Sequence, residues 1–182
     1  MAPEVPMAEP LPSRIRILQG DITRLDVEAV VNAANGALAP GGGVCGAIHA
    51  AAGPELETAC RALGGCPEGG ARITPGFRLR AAWVIHAVGP VWRSGTAGEP
   101  EALRSAYLES LRLCGEKAIA TVAFPLISTG IYGFPLDPAC RIALRAALDW
   151  AATRDLPREI TFVAFGDLAL AALEGAWAEM AH

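Results

Sequence analysis

The chain switches repeatedly between two apolar rhythms, one of period two or unbroken, the other of period near 3.6. "RIRILQ" (14–19) alternates polar and apolar residues, as a half-buried strand does. "EAVVNAA" (28–34) is a short continuous apolar run, the signature of a strand buried on both faces. Residues 44–52 and 54–63 read as helices, and the "GPE" between them supplies a break and a proline at a helix start. "ARIT" (71–74) and "WVIHAVG" (83–89) return to strand character. Between 99 and 117, Leu103, Ala106, Tyr107, Leu111 and Cys114 recur at helical spacing. "IATVAFPLI" (119–127) predicts a strand running into a loop. Asp137 is then expected to cap a helix with Pro138 at its first position, extending to about residue 153. "EITFVAF" (159–165) predicts the last strand, and Asp167 opens a final helix.

Helices between strands require crossover connections and a sheet covered on both faces. The expectation is an α/β protein: a three-layer α/β/α sandwich with a mixed, mostly parallel sheet. A single domain would span residues 14–182, preceded by a flexible tail over 1–13, where prolines cluster. In open sheets of this kind, ligands bind beyond the carboxyl ends of the strands. Segments 20–23, 35–43 and 128–134, and the strand end at Phe165, leave such ends. The unusual residues of the chain collect there.

Composition narrows the classes. The 182 residues are 52% hydrophobic and 19% charged, with mean hydropathy +0.34, which argues for a packed core. No apolar run reaches the length of a membrane span. The opening residues lack the basic-then-apolar pattern of a signal peptide, so a cytoplasmic protein is expected. A net charge of −4 gives no electrostatic footprint for nucleic acid. The five cysteines are odd in number and form no CxxC, which reads as reduced thiols. Cys45 and His49 are spaced i, i+4, but third and fourth ligands at usable spacing are lacking, so neither a metal nor a cofactor is expected. Nothing in the pattern asks for an oligomer, and a monomer is favoured.

The richest stretch is "NAANGALAPGGGVCGAIH" (32–49). Glycines permit positive φ and close approach of a ligand to the backbone, and the helix that follows offers unpaired N–H groups. Together they make an anion site, most naturally for phosphate. A second glycine loop, "STGIYG" (128–133), ends another apolar strand, so two loops could hold a diphosphate from both sides. No GK[ST] follows the first loop and no GxGxxG occurs, which sets aside the P-loop and the dinucleotide fingerprint. In "GDIT" (20–23), spacing alone favours Asp21 as a turn cap; a carboxylate can also accept a hydrogen bond from an exocyclic amine such as that of adenine.

Taken in order, "GDIT", "VVNAAN", "GGGV", "GAIH", "VIHAVGP" and "FPLISTGIYGFP" resemble the macrodomain family, specifically its MacroD-like branch of ADP-ribosyl hydrolases and O-acetyl-ADP-ribose deacetylases. The resemblance covers residues 15–165. It implies an α/β/α module that binds ADP-ribose and removes it from acidic side chains or deacetylates O-acetyl-ADP-ribose. By that resemblance Asp21 would bind the adenine amino group, with the Ile22 backbone beside it and Phe165 stacked on or edging the base. Phe165 has a competing assignment to the core. Gly42, Gly43 and Val44 would line one side of the diphosphate and distal ribose; Ser128, Thr129, Gly130, Ile131 and Tyr132 would line the other. Tyr132 would pack over the distal ribose, Asn35 would bond one of its hydroxyls, and Asn32 would brace the loop. ADP-ribose, ADP-ribosylated proteins or O-acetyl-ADP-ribose are the implied partners.

One residue departs from the pattern. The MacroD-like branch carries an aspartate where this chain has Cys45, ten residues after Asn35. That carboxylate is thought to orient or activate water, and a thiol hydrogen-bonds weakly by comparison. Three readings follow: a slow hydrolase in which Asn35, the loops and the ligand's own phosphate supply the catalysis; a reader that binds without turnover; and a Cys45 nucleophile helped by the helix terminus and His49. His49 would lie deeper along the helix, where packing suits it better. His86, inside an apolar strand, reads as a satisfied core histidine.

Overall fold

The computed structural model describes residues 14–180; the tail assigned to 1–13 lies outside them. Six strands form one sheet in the order β1-β6-β5-β2-β4-β3. They are β1 (Ile15–Gln19), β2 (Ala29–Ala34), β3 (Ala71–Pro75), β4 (Trp83–Val88), β5 (Thr121–Phe124) and β6 (Glu159–Ala164). Every pairing is parallel except that of the edge strand β3 with β4. Five helices cover the two faces: α1 (Gly43–Ala52) and α2 (Pro54–Leu63) on one, α3 (Glu99–Glu116), α4 (Leu136–Ala151) and α5 (Asp167–Met180) on the other. The expected three-layer sandwich with a mixed, mostly parallel sheet is what forms.

The two covers bury two cores. On the α1/α2 face, Val30, Val84 and Val163 of the sheet meet Leu38, Ile48, Leu56 and Cys60. On the other face, Val31, Ile85, Phe124 and Phe162 meet Leu103, Tyr107, Leu111 and Leu144, with Phe124 and Phe162 stacked at 5.7 Å between centroids. Adjacent residues of one strand thus enter opposite cores, which is why these strands read as unbroken apolar runs.

Several boundaries differ from expectation. α4 starts at Leu136, one residue before Asp137, and Pro135 stands at its cap position. Asp137 therefore complements the positive end of the helix from its first turn and caps nothing. β5 is four residues long, shorter than the apolar run that suggested it, because Pro125 lacks the N–H needed to continue the ladder.

That shortness opens the sheet. β2 pairs with β5 only at Ala29–Val122 and Val30–Ala123, while its pairing with β4 continues to Ala34–Val88. Beyond Val30 the two central strands part. The chain leaving β2 turns to α1 on one face, and the chain leaving β5 turns to α4 on the other. This is a topological switch point, where an open α/β sheet forms a crevice.

Candidate functional site

A cavity of about 600 Å³ occupies that crevice. Asp21, Ile22, Asn35, Gly42, Gly43, Val44, Cys45, Ser128, Thr129, Gly130, Ile131, Tyr132 and Phe165 all line it. Four segments far apart in sequence therefore converge on one space. Gly20 and Gly41, within the loops expected to matter, also line it, as do Ala33, Ala34, Gly89, Pro125, Leu126, Val163 and Ala169, which were not anticipated. Most are small residues at strand ends, without chemistry of their own. Gly89 did leave a signal, since it ends the apolar run of β4. A Cβ there would come within 2.2 Å of the Ser128 hydroxyl and 2.5 Å of Ile127, so only glycine lets β4 and the β5 loop approach this closely.

The first wall is the amino end of α1. Gly42 occupies the cap position and no side chain caps the helix, so its first N–H groups are left without a side-chain acceptor where Gly42, Gly43 and Val44 line the crevice. Of Gly41, Gly42 and Gly43, only Gly43 takes a positive φ, +57°. The preceding loop is held by Asn35, whose Nδ2 donates to the Ala39 carbonyl at 2.9 Å while its Oδ1 accepts from the Ala39 N–H at 3.0 Å. Leu38 plugs the same loop into the α1/α2 core. The loop itself is braced by Asn35, while Asn32, expected to be structural, lies beneath it, almost fully buried.

Asn32 instead joins β2 to its neighbours. Its Nδ2 lies 3.2 Å from His86 Nδ1 and donates to Cys45 Sγ at 3.7 Å. His86 Nε2 lies 2.9 Å from the Thr74 hydroxyl. A neutral imidazole protonated on Nε2 satisfies both contacts. Burial, and to a lesser degree His49 nearby, hold the His86 pKa down to about 4. His86 is the core histidine its setting suggested. Cys45 donates to the Ala39 carbonyl at 3.6 Å. Its partners are thus an amide and a carbonyl, neither of which is a base.

The second wall is the turn after β5. Gly133 donates to the Gly130 carbonyl and Phe134 to that of Ser128, so the turn closes on itself while Ser128–Tyr132 line the crevice. Ser128 sits at φ +67°, rare for a residue with a side chain, and its hydroxyl is buried without a partner. Below it, the Tyr107 hydroxyl of α3 accepts from Ile127 N–H at 3.0 Å and donates to the Pro125 carbonyl at 3.3 Å. Those backbone groups lie just beyond the end of β5, where the ladder has stopped. Tyr107 had announced itself only as a helix core residue. At the tip, a Cβ on Gly42 would sit 3.7 Å from Ile131 Cδ1, so the two walls nearly touch over the crevice.

The outer end differs. Asp21 Oδ1 accepts from the N–H and the hydroxyl of Thr23 at 2.9 and 2.7 Å, the cap expected from spacing. These bonds, above all that from the hydroxyl, lower its pKa. Phe165 is 93% exposed, which removes the core assignment; like the exposed Ile131, it lines the crevice with an apolar side chain open to water. No group of three or more His, Cys, Asp or Glu side chains among the described residues is placed to hold a metal ion, and no described helix is long and apolar enough to cross a membrane.

The family model of the Macro domain matches residues 31–143, which span β2 to α4 and both glycine loops. This chain belongs to the macro domain family. A macro domain-containing protein of Xanthomonas axonopodis pv. citri is 48% identical to this macrodomain over 171 residues, covering 91% of this chain and 96% of its own. A protein of Escherichia fergusonii named O-acetyl-ADP-ribose deacetylase is 51% identical over 159 residues, 85% of this chain and 90% of its own. Among solved structures, a mutant of the Oceanobacillus iheyensis macrodomain with ADPR superposes with a TM-score of 0.87 at 36% identity, covering 91% of this chain and 92% of its own.

Proposed function

We propose that this macrodomain binds ADP-ribose in the crevice and hydrolyses ester-linked ADP-ribose, whether attached to Asp or Glu side chains or present as O-acetyl-ADP-ribose. The observation that carries the reading is the pair of facing backbone walls, the open end of α1 and the turn after β5, around one cavity at the switch point. Such walls suit a diphosphate, because N–H dipoles supply positive field without side-chain charge. The relatives agree in kind: macrodomains of similar fold are solved with ADPR and with ADP, and one relative is named a deacetylase.

The adenine would rest on Phe165 with its amino group toward Asp21, whose second carboxylate oxygen is not used by Thr23 and has Arg24 Nε at 3.5 Å. The diphosphate would lie between Gly42–Val44 and Ser128–Ile131. The distal ribose would reach Asn35 and Tyr132. Asn35 has one N–H and one lone pair beyond its bonds to Ala39, enough to meet a diol. Solved variants of the Oceanobacillus iheyensis macrodomain alter an asparagine, a glycine and an aspartate in the same order and spacing as Asn35, Gly42 and Cys45 here. That supports Cys45 as the stand-in for an acid. In this chain the water would be oriented by Asn35, the two walls and the ligand's own phosphate. The protein would work as a monomer, since one chain lines the whole cleft, in a reducing cytoplasm that suits five free thiols.

The second reading is a reader without turnover. It is favoured by Cys45, whose thiol is tied to Asn32 and Ala39 and offers water no carboxylate. One experiment separates the two. Purified protein is given a target mono-ADP-ribosylated on glutamate, and free ADP-ribose is followed with time. Release above the enzyme-free control supports hydrolysis; calorimetric binding of ADP-ribose without release supports the reader; no binding at all defeats both.

A further inference from the structure

Residues 89–98 join β4 to α3, beside the second wall, and a single buried carboxylate ties them together. Glu99, the first residue of α3, is 3% exposed. Its Oε2 accepts from the N–H groups of Arg93, Ser94 and Gly95 at 3.1, 2.9 and 2.6 Å, and its Oε1 accepts from Ala97 at 2.7 Å. Four donors on one carboxylate close the segment into a compact knot. Those N–H groups, Gly95 and Ser94 first, hold the Glu99 carboxyl down to about 2.

The knot supports Trp92. Gly95 takes φ +83°, and a Cβ there would lie 2.5 Å from the Trp92 ring, so the indole rests directly on the knotted backbone. Trp92 in turn touches the second wall twice. Its backbone N–H donates to the Tyr132 carbonyl at 2.8 Å, and its ring meets Phe134 edge-on at 4.7 Å between centroids. A continuous set of contacts therefore runs from Glu99 through Gly95 and Trp92 to Tyr132.

We propose that Glu99 is a positioning residue for the distal-ribose end of the crevice: its carboxylate fixes the 93–97 backbone, which seats Trp92, which sets the height of Tyr132. This rests on the placement of ADP-ribose given above. The ligand loses alignment at one end only when the knot loosens. The outer end, built by Asp21 and Phe165 just after β1 and β6, shares none of these contacts.

The test compares two ligands that differ at the distal end. ADP-ribose and ADP are titrated calorimetrically into wild-type protein and into Glu99→Gln, which keeps the shape but replaces an acceptor oxygen by a donor facing N–H groups. The expected result is an ADP-ribose affinity about tenfold weaker and an ADP affinity within about twofold of wild type, a difference near ~1.4 kcal/mol. Trp92→Ala, which removes the ring and leaves the carboxylate, should reproduce the selective loss and serves if Glu99→Gln does not fold. Equal weakening of both ligands, or no change in either, overturns the inference and leaves the placement standing. Wild-type protein that binds neither ligand overturns the placement, and the inference with it.

Discussion

The two walls of the crevice do the same kind of work and are held in opposite ways. The first is braced from within, by Asn35 itself, which bonds Ala39 twice while facing the cavity. The second is braced from outside, by Tyr107 below it and by Trp92 and Glu99 beside it. Of these three, none lines the cavity. The lesson concerns mutation: at the first wall support and chemistry cannot be separated, and at the second they can.

Asn35→Ala should have the largest effect. It removes the proposed ribose contact and both bonds to Ala39, each bond worth about 1 kcal/mol net. Turnover should fall about a thousandfold, with a lower melting temperature in the same variant. A drop in turnover with unchanged stability would show that the loop does not depend on Asn35 for support.

Cys45→Asp acts at the same wall and leaves both Asn35 bonds in place, giving up only the weak thiol bond to the Ala39 carbonyl. A carboxylate there could accept from Asn32 Nδ2 and orient water, and a positioned base contributes about a hundredfold. The release assay should show an increase of that order. An unchanged rate with ADP-ribose affinity retained would mean that the wall lacks something besides the acid.

Acid should undo the walls in sequence. His86, behind the first wall, is protonated near 6.5 when unfolded and only near about 4 when folded. Its contribution is present above 6.5 and is lost as pH falls toward 4, roughly 3 kcal/mol at most. Glu99, beside the second wall, is depressed from 4.5 to about 2, so its contribution is lost only as pH falls below about 4.5. Hydrogen exchange at pH 5 should therefore show loosening of residues 32–49 before 92–99. Simultaneous loosening, or the opposite order, would break the comparison.

Smaller effects belong to the outer end. Phe165→Ala should weaken ADP-ribose binding about tenfold, in line with base–aromatic stacking, and leave kcat unchanged. Asp21→Ala should reduce turnover far less than Asn35→Ala; the reverse order would invalidate the division of roles along the cleft.

Much of this was legible in the chain. Two periods gave the order of strands and helices, and the glycine loops, Asp21, Asn35 and the strand end at Phe165 marked the lining of the crevice. What stayed hidden was support. Tyr107 and Glu99 look like ordinary helix residues, because a hydroxyl or carboxylate that satisfies distant backbone leaves no local pattern. Asn32 and Asn35 look alike in "NAAN", and only burial separates their tasks. Ala33, Ala34 and Gly89 reach the cavity through the geometry of strand ends alone.

The sequence by itself determined the layers, because apolar period is a local property that burial enforces residue by residue. It also determined where backbone could be left bare, because three successive glycines and an uncapped helix start are written in the chain. Only the tertiary structure decided that β2 and β5 part after two residue pairs, that the two bare walls face each other across the gap, and that Cys45 is held by Asn32 and Ala39. Those outcomes depend on which strands become neighbours and how far their ladders run, a matter settled by packing between segments nearly a hundred residues apart.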